Sequence, residues 1–164
     1  MTAMATTVYD VNSPWEDRWA MPELKQLLTP IEEQRRKVVD ILIKEISAYP
    51  GVHQTLIWHG TAWKWTLQFS LYGEDGVLID TLAYLVPNPE SPVLCVPLKP
   101  STVEKLPLKR LNRYIRDGIR VAKRAVEIYW AVWNPTAVTE TEHLMDLIKR
   151  RHKILMAQYA EKNA

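Results

Sequence analysis

Residues 62–72 read Ala-Trp-Lys-Trp-Thr-Leu-Gln-Phe-Ser-Leu-Tyr. Every second residue from position 63 to position 71 is large and apolar, and the residues between them are polar. Because successive side chains of a strand point to opposite faces, this alternation predicts a half-buried β-strand. We expect the apolar set to enter one core and the polar set to lie on the other face. The two sets are Trp63, Trp65, Leu67, Phe69 and Leu71, and Lys64, Thr66, Gln68, Ser70 and Tyr72.

Further strands are predicted on both sides of this one. Strands near 53–59, 77–86 and 92–98 are joined to it and to each other by short segments that contain Gly or Pro. Such connections favour an antiparallel meander. A fifth strand is predicted at 126–133, because this run is rich in β-branched and aromatic residues and stops at Asn134-Pro135.

Helices are predicted before and after the meander. The apolar periodicity and the capping residues indicate helices at 30–48, at 102–105, at 108–124 and after Thr139. With 164 residues, of which 47% are hydrophobic, the chain has enough material for one core. The sequence therefore predicts a single α+β domain over 13–158, an antiparallel sheet of about five strands with helices packed mainly on one face. Residues 1–12 and 159–164 are predicted to be tails.

Composition narrows the classes of function. The single Cys95 excludes an intramolecular disulfide and a multi-cysteine zinc site. The first residues contain no basic stretch followed by an apolar one, and no apolar run reaches the ~20 residues of a membrane helix. We expect a cytoplasmic, soluble protein with no membrane partner, no bound metal and no cofactor. The net charge of +2 hides an asymmetry, since residues 101–164 carry 13 Lys and Arg against 7 Asp and Glu.

Four segments carry a family resemblance: Trp58-His59-Gly60, then 63–67, then 127–132, and finally the amphipathic run 145–150. Their order resembles that of the uncharacterised bacterial domain-of-unknown-function family 3788 and, more distantly, the YdhG-like domains. The resemblance covers roughly residues 30–155. It implies an α+β fold, and since the family has no agreed activity, it implies no catalytic residues.

The aromatic residues give the favoured functional hypothesis. The chain has seven Trp and seven Tyr against one Phe, and Trp and Tyr carry a polar atom that needs a partner when buried. They can line a pocket for a flat or apolar ligand, or they can simply fill a large core. The favoured function is a non-enzymatic module that binds a small ligand or a protein, through this cavity or the polar face of the strand. The proposed ligand-binding residues are Trp58, Trp63, Trp65, Tyr84 and Trp130.

A basic stripe gives an alternative hypothesis. Lys and Arg recur at spacings of three and four along the helical region 105–124, which would align them on one helix face. Such a face can bind a nucleic acid or another acidic partner, or it can be the solvated outer face of a packed helix. Gly118 lies on the apolar face, where it would permit close approach of the helix to the sheet. The candidate anion-binding residues are Lys109, Arg113, Arg116 and Arg120.

A second alternative is an enzyme that uses His59 and Asp80 as acid and base. For this, the two side chains must converge in a cleft. His53 and His59 are too far apart along one strand to share a metal, and Cys95 is expected to be a buried, inert thiol. The identity of any ligand and the oligomeric state stay open at this point.

Overall fold

Six antiparallel strands form one sheet in a computed structural model that describes residues 13–164. The predicted tail at 1–12 lies outside the described residues. The strands are β1 (Val52–Trp58), β2 (Trp65–Tyr72), β3 (Leu78–Val86), β4 (Val93–Leu98), β5 (Lys123–Ala125) and β6 (Ile128–Trp133). Their spatial order is β1-β2-β3-β4-β6-β5. The predicted α+β class and the antiparallel meander are confirmed, with six strands where about five were expected.

The helices pack on one face of this sheet. The helices are α1 (Leu24–Leu28), α2 (Glu33–Ser47), α3 (Pro100–Lys105), α4 (Arg113–Arg120) and α5 (Val138–Lys162). Helix α2 packs on α5, α5 on β3, and α4 on both α5 and β6. Their apolar residues join Leu67, Phe69 and Leu71 of β2 in one buried core. Among the described residues, none of the helices has the length and apolar character needed to cross a membrane. We call the sheet face opposite α2, α4 and α5 the open face.

The long helix predicted at 108–124, and with it the basic helix 105–124, is wrong. Residues 108–110 form a 3₁₀ turn, and Leu111 is extended. Helix α4 begins only after Asn112, whose side chain accepts a hydrogen bond from the Tyr114 N–H at 2.8 Å. The helix ends at Arg120, and 123–125 form strand β5 instead. The C-terminal tail predicted at 159–164 is also wrong, because α5 continues to Lys162.

A β-bulge in β3 decides which side chains reach each face. On β2, Ser70 pairs with Thr81 and Phe69 with Ala83, so Leu82 has no partner there. The extra residue reverses the alternation of the strand. Asp80 therefore points to the helix side, whereas Tyr84 lies beside Gln68 on the open face. Without the bulge, Asp80 and Tyr84 would share one face.

Arg151 of α5 caps this bulge from the helix side. Its side chain is 1% exposed and donates a hydrogen bond from Nη1 to the Leu82 carbonyl at 3.0 Å. Its Nη2 lies 3.6 Å from the Asp80 carboxylate, which also pairs with Lys99 at 3.3 Å. Burial lowers the pKa of Arg151 to about 10, so the guanidinium is still charged at neutral pH. The Leu82 carbonyl at the bulge thus has a side-chain donor, as a buried polar group requires.

Gly118 permits close packing of α4 on the sheet, as the sequence predicts. A Cβ at this position would overlap the indole ring of Trp133. That ring is 4% exposed and donates a hydrogen bond to the Tyr114 carbonyl at 3.1 Å. The helix can therefore lie directly against β6, which fixes its last turn beside the edge of the sheet.

Candidate ligand-binding site on the open face

Four aromatic side chains meet on the open face, and we call them the aromatic patch: His59, Trp63, Tyr84 and Trp130. All six pairs of rings are in contact, with centroid separations from 4.5 Å for His59–Trp63 to 6.5 Å for His59–Trp130. These separations are those of tilted and edge-to-face aromatic pairs. Each of the four residues is half-buried, so the patch keeps part of its ring surface in contact with solvent.

A tight loop brings Trp63 to the patch. The His59 N–H donates to the Lys64 carbonyl and the Lys64 N–H to the Gly60 carbonyl, both at 2.8 Å. Gly60 and Lys64 have positive φ angles of 95° and 58°. The reversal at Lys64 ends the alternation of the strand before it reaches Trp63. The prediction that Trp63 belongs to β2 and to the same core as Leu67 is therefore wrong, since β2 begins at Trp65.

The sheet register brings the other rings together. Tyr84 on β3 pairs with Cys95, and Trp130 on β6 pairs with Pro97, so both side chains lie over the intervening strand β4. Cys95 and Pro97 are buried beneath them. Burial raises the pKa of the Cys95 thiol to about 12, so it is protonated at neutral pH and is not a nucleophile.

Trp58 and Trp65 do not join the patch, although the sequence groups them with Trp63. They pair across β1 and β2 on the helix side, with ring centroids 5.7 Å apart. The Trp65 indole N–H donates to the Asp17 carbonyl at 2.7 Å, and Trp65 belongs to a small core cluster with Trp15. Of the five proposed ligand-binding residues, the structure brings together Trp63, Tyr84 and Trp130. Trp58 and Trp65 instead contact each other and stabilise the fold.

A pocket of about 300 Å³ opens beside the patch. Strand β5 pairs only with 128–130 of β6, so the remaining edge of β6 faces the last turn of α4. Most of the lining is apolar. It consists of Trp63, Gly118, Val121, Ala122, Lys123, Trp130 and Val132. Val121 and Val132 are 79% and 44% exposed. An apolar hollow of this size between an aromatic surface and exposed valines has the character of a small-molecule site.

Lys123 is the charged side chain of this lining. It pairs with Trp130 across β5 and β6, so both side chains lie on the open face. Lys123 has no carboxylate within ion-pair distance in the part of the chain that the structure describes. The arginines on either side differ, since Arg120 lies 4.0 Å from Asp117 and Arg124 lies 2.8 Å from Glu127.

The polar residues of β2 are less available than their pattern suggests. Thr66 is fully buried, and its hydroxyl lies 3.3 Å from the Trp63 and Lys64 carbonyl oxygens. Ser70 is 7% exposed. The Gln68 amide donates to the Thr81 hydroxyl at 2.9 Å. The polar side chains of β2 therefore offer little surface to a partner, whereas the exposed His53 and Thr55 of β1 extend the accessible part of the open face beyond the aromatic patch.

The candidate anion-binding residues do not form one helix face. Lys109 belongs to the 3₁₀ turn, while Arg113, Arg116 and Arg120 belong to α4. Arg113 lies 3.5 Å from Asp117, the carboxylate that Arg120 also approaches. Asp117 therefore offsets part of the positive charge of the stripe, a contact that the spacing of the basic residues alone does not reveal.

The structure does not bring His59 and Asp80 together. His59 pairs with Lys64 just before the start of β2, whereas Asp80 pairs with Leu71 near its end. Seven residues of strand at ~3.3 Å each separate these positions by roughly 23 Å. The bulge also points Asp80 to the helix side, so the two groups lie on opposite faces. Within residues 13–164, no group of three His, Cys, Asp or Glu side chains is arranged to hold a metal ion.

Five pocket residues escaped the sequence interpretation as ligand contacts: Gly118, Val121, Ala122, Lys123 and Val132. The alternation of β6 places Trp130 and Val132 on one face and Ala131 and Trp133 on the other, and this signal is visible in the sequence. The contribution of the segment after α4 depends on where that helix ends, which the sequence analysis placed too late.

No known family model matches the chain, and no curated protein matches it either. The resemblance to family 3788 therefore stays a prediction, and the functional argument depends on the site alone.

Proposed function

We propose that this protein is a non-enzymatic binding module that takes a small, flat ligand in the pocket beside the aromatic patch. The observation that carries the proposal is the position of four contacting aromatic rings on the sheet face away from the helices, next to an apolar hollow. Aromatic side chains provide a large apolar surface with few rotatable bonds, and flat molecules stack on them.

The packing within the patch indicates where the ligand lies. Because the four rings already touch one another, no space is left between them for a guest. The free ring surface faces outward and into the pocket that Trp63 and Trp130 share with Val121 and Val132. A volume of about 300 Å³ is at the small end for ligand sites, and it suits a molecule of one or two rings.

The chemistry near the patch supports binding rather than catalysis. His59 and Tyr84 are the titratable members of the patch; their ring centroids lie 5.1 Å apart, and no hydrogen bond joins the two side chains in the part of the chain that the structure describes. Asp80, its candidate partner, lies on the helix side with Arg151. The thiol of Cys95 is buried and protonated. A general acid or base must be held within hydrogen-bond reach of the proton that it transfers, and among the described residues no hydrogen bond orients the His59 side chain.

The proposal can be tested with indole-3-acetamide, a flat and neutral probe, by calorimetric titration and ligand-observed NMR. We expect saturable binding that weakens about tenfold in Trp130→Ala, because one aromatic contact contributes roughly 0.5–1.5 kcal/mol beyond its buried area. The matched control is Trp19→Ala, since Trp19 is 85% exposed and outside the patch. It should bind as the wild type does.

A second variant guards against loss of folding in the first. Val121→Glu changes a side chain that is 79% exposed, so it should leave the fold intact and still put a charge at the rim of the pocket. Far-UV circular dichroism of each variant checks the fold. Absence of wild-type binding at millimolar probe, or equal affinity in all four proteins, would overturn the proposal.

A further inference from the structure

We propose that the natural ligand is a planar aromatic anion, whose ring lies against Trp63 and Trp130 and whose negative charge pairs with Lys123. This inference depends on the proposed function and adds the charge of the ligand to it. It comes from the pattern of ion pairs around the pocket.

Lys123 is the basic side chain positioned to meet a ligand. It lies beside Trp130 on the open face, at the point where β5 meets β6. Its charged group therefore stands at the side of the pocket, while the stem of a lysine side chain can cover apolar surface. A ring on Trp130 would bring a substituent on its edge within reach of this ammonium group.

The neighbouring charges make Lys123 differ from Arg120 and Arg124, the arginines on either side of it. Arg124 is held by Glu127 at 2.8 Å, and Arg120 approaches Asp117. Lys123 has no such partner among the described residues, so the pocket presents one uncompensated positive charge beside apolar walls. Charge complementarity then favours an anion over a neutral or cationic molecule of the same shape.

The rest of the pocket lining is apolar and determines the character of the body of the ligand. Val121, Ala122 and Val132 provide no side-chain hydrogen-bonding group, so a strongly polar body would lose its hydration without replacement. A sugar or a phosphate-rich ligand is therefore disfavoured. A one- or two-ring system with a single carboxylate on its edge satisfies both the walls and the lysine.

The test compares three probes that share one ring: indole-3-acetate, indole-3-acetamide and tryptamine, which carry a negative, zero and positive charge. In the wild type we expect the acetate to bind about fivefold more tightly than the acetamide, the range of an exposed ion pair. Tryptamine should bind most weakly. The preference should shrink as the salt concentration rises, because ions screen an exposed pair.

Lys123→Gln isolates the charge from the ring contacts. In this variant the acetate and the acetamide should bind equally, while the affinity for the acetamide stays as in the wild type. Arg124→Gln is the matched control, since it removes a neighbouring charge that already has a partner. It should keep the preference.

The outcomes separate the two proposals. If the three probes bind the wild type equally, or if Lys123→Gln retains the preference for the acetate, the inference about the anion is wrong while the aromatic site stands. If the acetamide and the acetate both fail to bind, the proposed site itself is wrong.

Discussion

Arg151 and Asp80 should respond very differently to substitution, although they form one buried pair. Asp80→Asn leaves the guanidinium of Arg151, which is 1% exposed, without its carboxylate. An uncompensated buried charge of this kind costs about 3–5 kcal/mol of stability. The exposed Lys99, which also loses its partner, should add little.

Arg151→Met should affect the stability of the protein much less than Asp80→Asn does. The buried environment lowers the pKa of Arg151 from 12.5 to about 10, which corresponds to roughly 3 kcal/mol of disfavour for the charged form at about 1.36 kcal/mol per pKa unit. Methionine removes that unfavourable charge. It leaves the Leu82 carbonyl without its donor, a loss of about 1–3 kcal/mol, while Asp80 keeps Lys99. The second effect offsets part or all of the first, so we expect a net change between none and a stabilisation of about 2 kcal/mol.

Urea unfolding monitored by circular dichroism measures both changes, provided that the slope with denaturant stays constant. In the Arg151→Met background, Asp80→Asn should become nearly neutral, because the buried cation that it leaves unpaired is gone. If Arg151→Met alone destabilises the protein as much as Asp80→Asn does, the reasoning about desolvation at the bulge is refuted.

Two further predictions concern packing and pH. Gly118→Ala should destabilise the protein, because a Cβ would overlap the Trp133 ring. Overpacking costs about 1–3 kcal/mol, which exceeds the ~1 kcal/mol gained in helix propensity. Thermal unfolding measures the change, and an unchanged or raised midpoint would contradict the prediction. Burial lowers the pKa of His152. Below the ordinary value of about 6.5, the unfolded chain therefore binds more protons than the folded protein, and stability falls as the pH is lowered. His152→Gln should lose less stability than the wild type between about pH 7 and pH 5 in urea titrations, and an equal loss in both proteins would count against the assignment.

The sequence correctly predicts those elements for which the local residue pattern and the tertiary packing favour the same structure. The alternation of β2 holds from Trp65 to Leu71, and the apolar members at 67, 69 and 71 are fully buried, as expected. The meander follows from its short loops, and the close approach at Gly118 follows from a glycine on the apolar face of a helix. In each case one local pattern and the tertiary packing favour the same structure.

Sequence patterns mislead where one residue reverses the alternation without a local signal. The bulge at Leu82 moves Tyr84 to the open face and leaves Asp80 behind, although their spacing of four predicts a shared face. The turn between β5 and β6 uses positive φ angles at Val126 and Glu127, where Asn and Gly are the usual residues. Without such residues, the region was assigned to a helix and a single strand.

The same reversals explain which residues of the candidate site the sequence predicts and which it does not. Trp63, Tyr84 and Trp130 were identified as binding residues from their aromatic character, which is local information. Their convergence, and the exclusion of Trp58 and Trp65, depends on the reversed backbone at Lys64 and on the bulge in β3. The predicted basic helix 105–124 includes Lys123, and the position of Lys123 beside Trp130 follows only from the pairing of β5 with β6.

A ligand should bind at the tryptophans of the aromatic patch and at none of the other tryptophans. The most direct measurement is a ¹H–¹⁵N spectrum of the seven indole N–H groups, assigned by single Trp→Phe variants, during titration with indole-3-acetate. We expect saturable shifts for Trp63 and Trp130 and little change for Trp15, Trp19 and Trp65. Shifts of the Trp15 and Trp65 signals, with those of Trp63 and Trp130 unmoved, would contradict it.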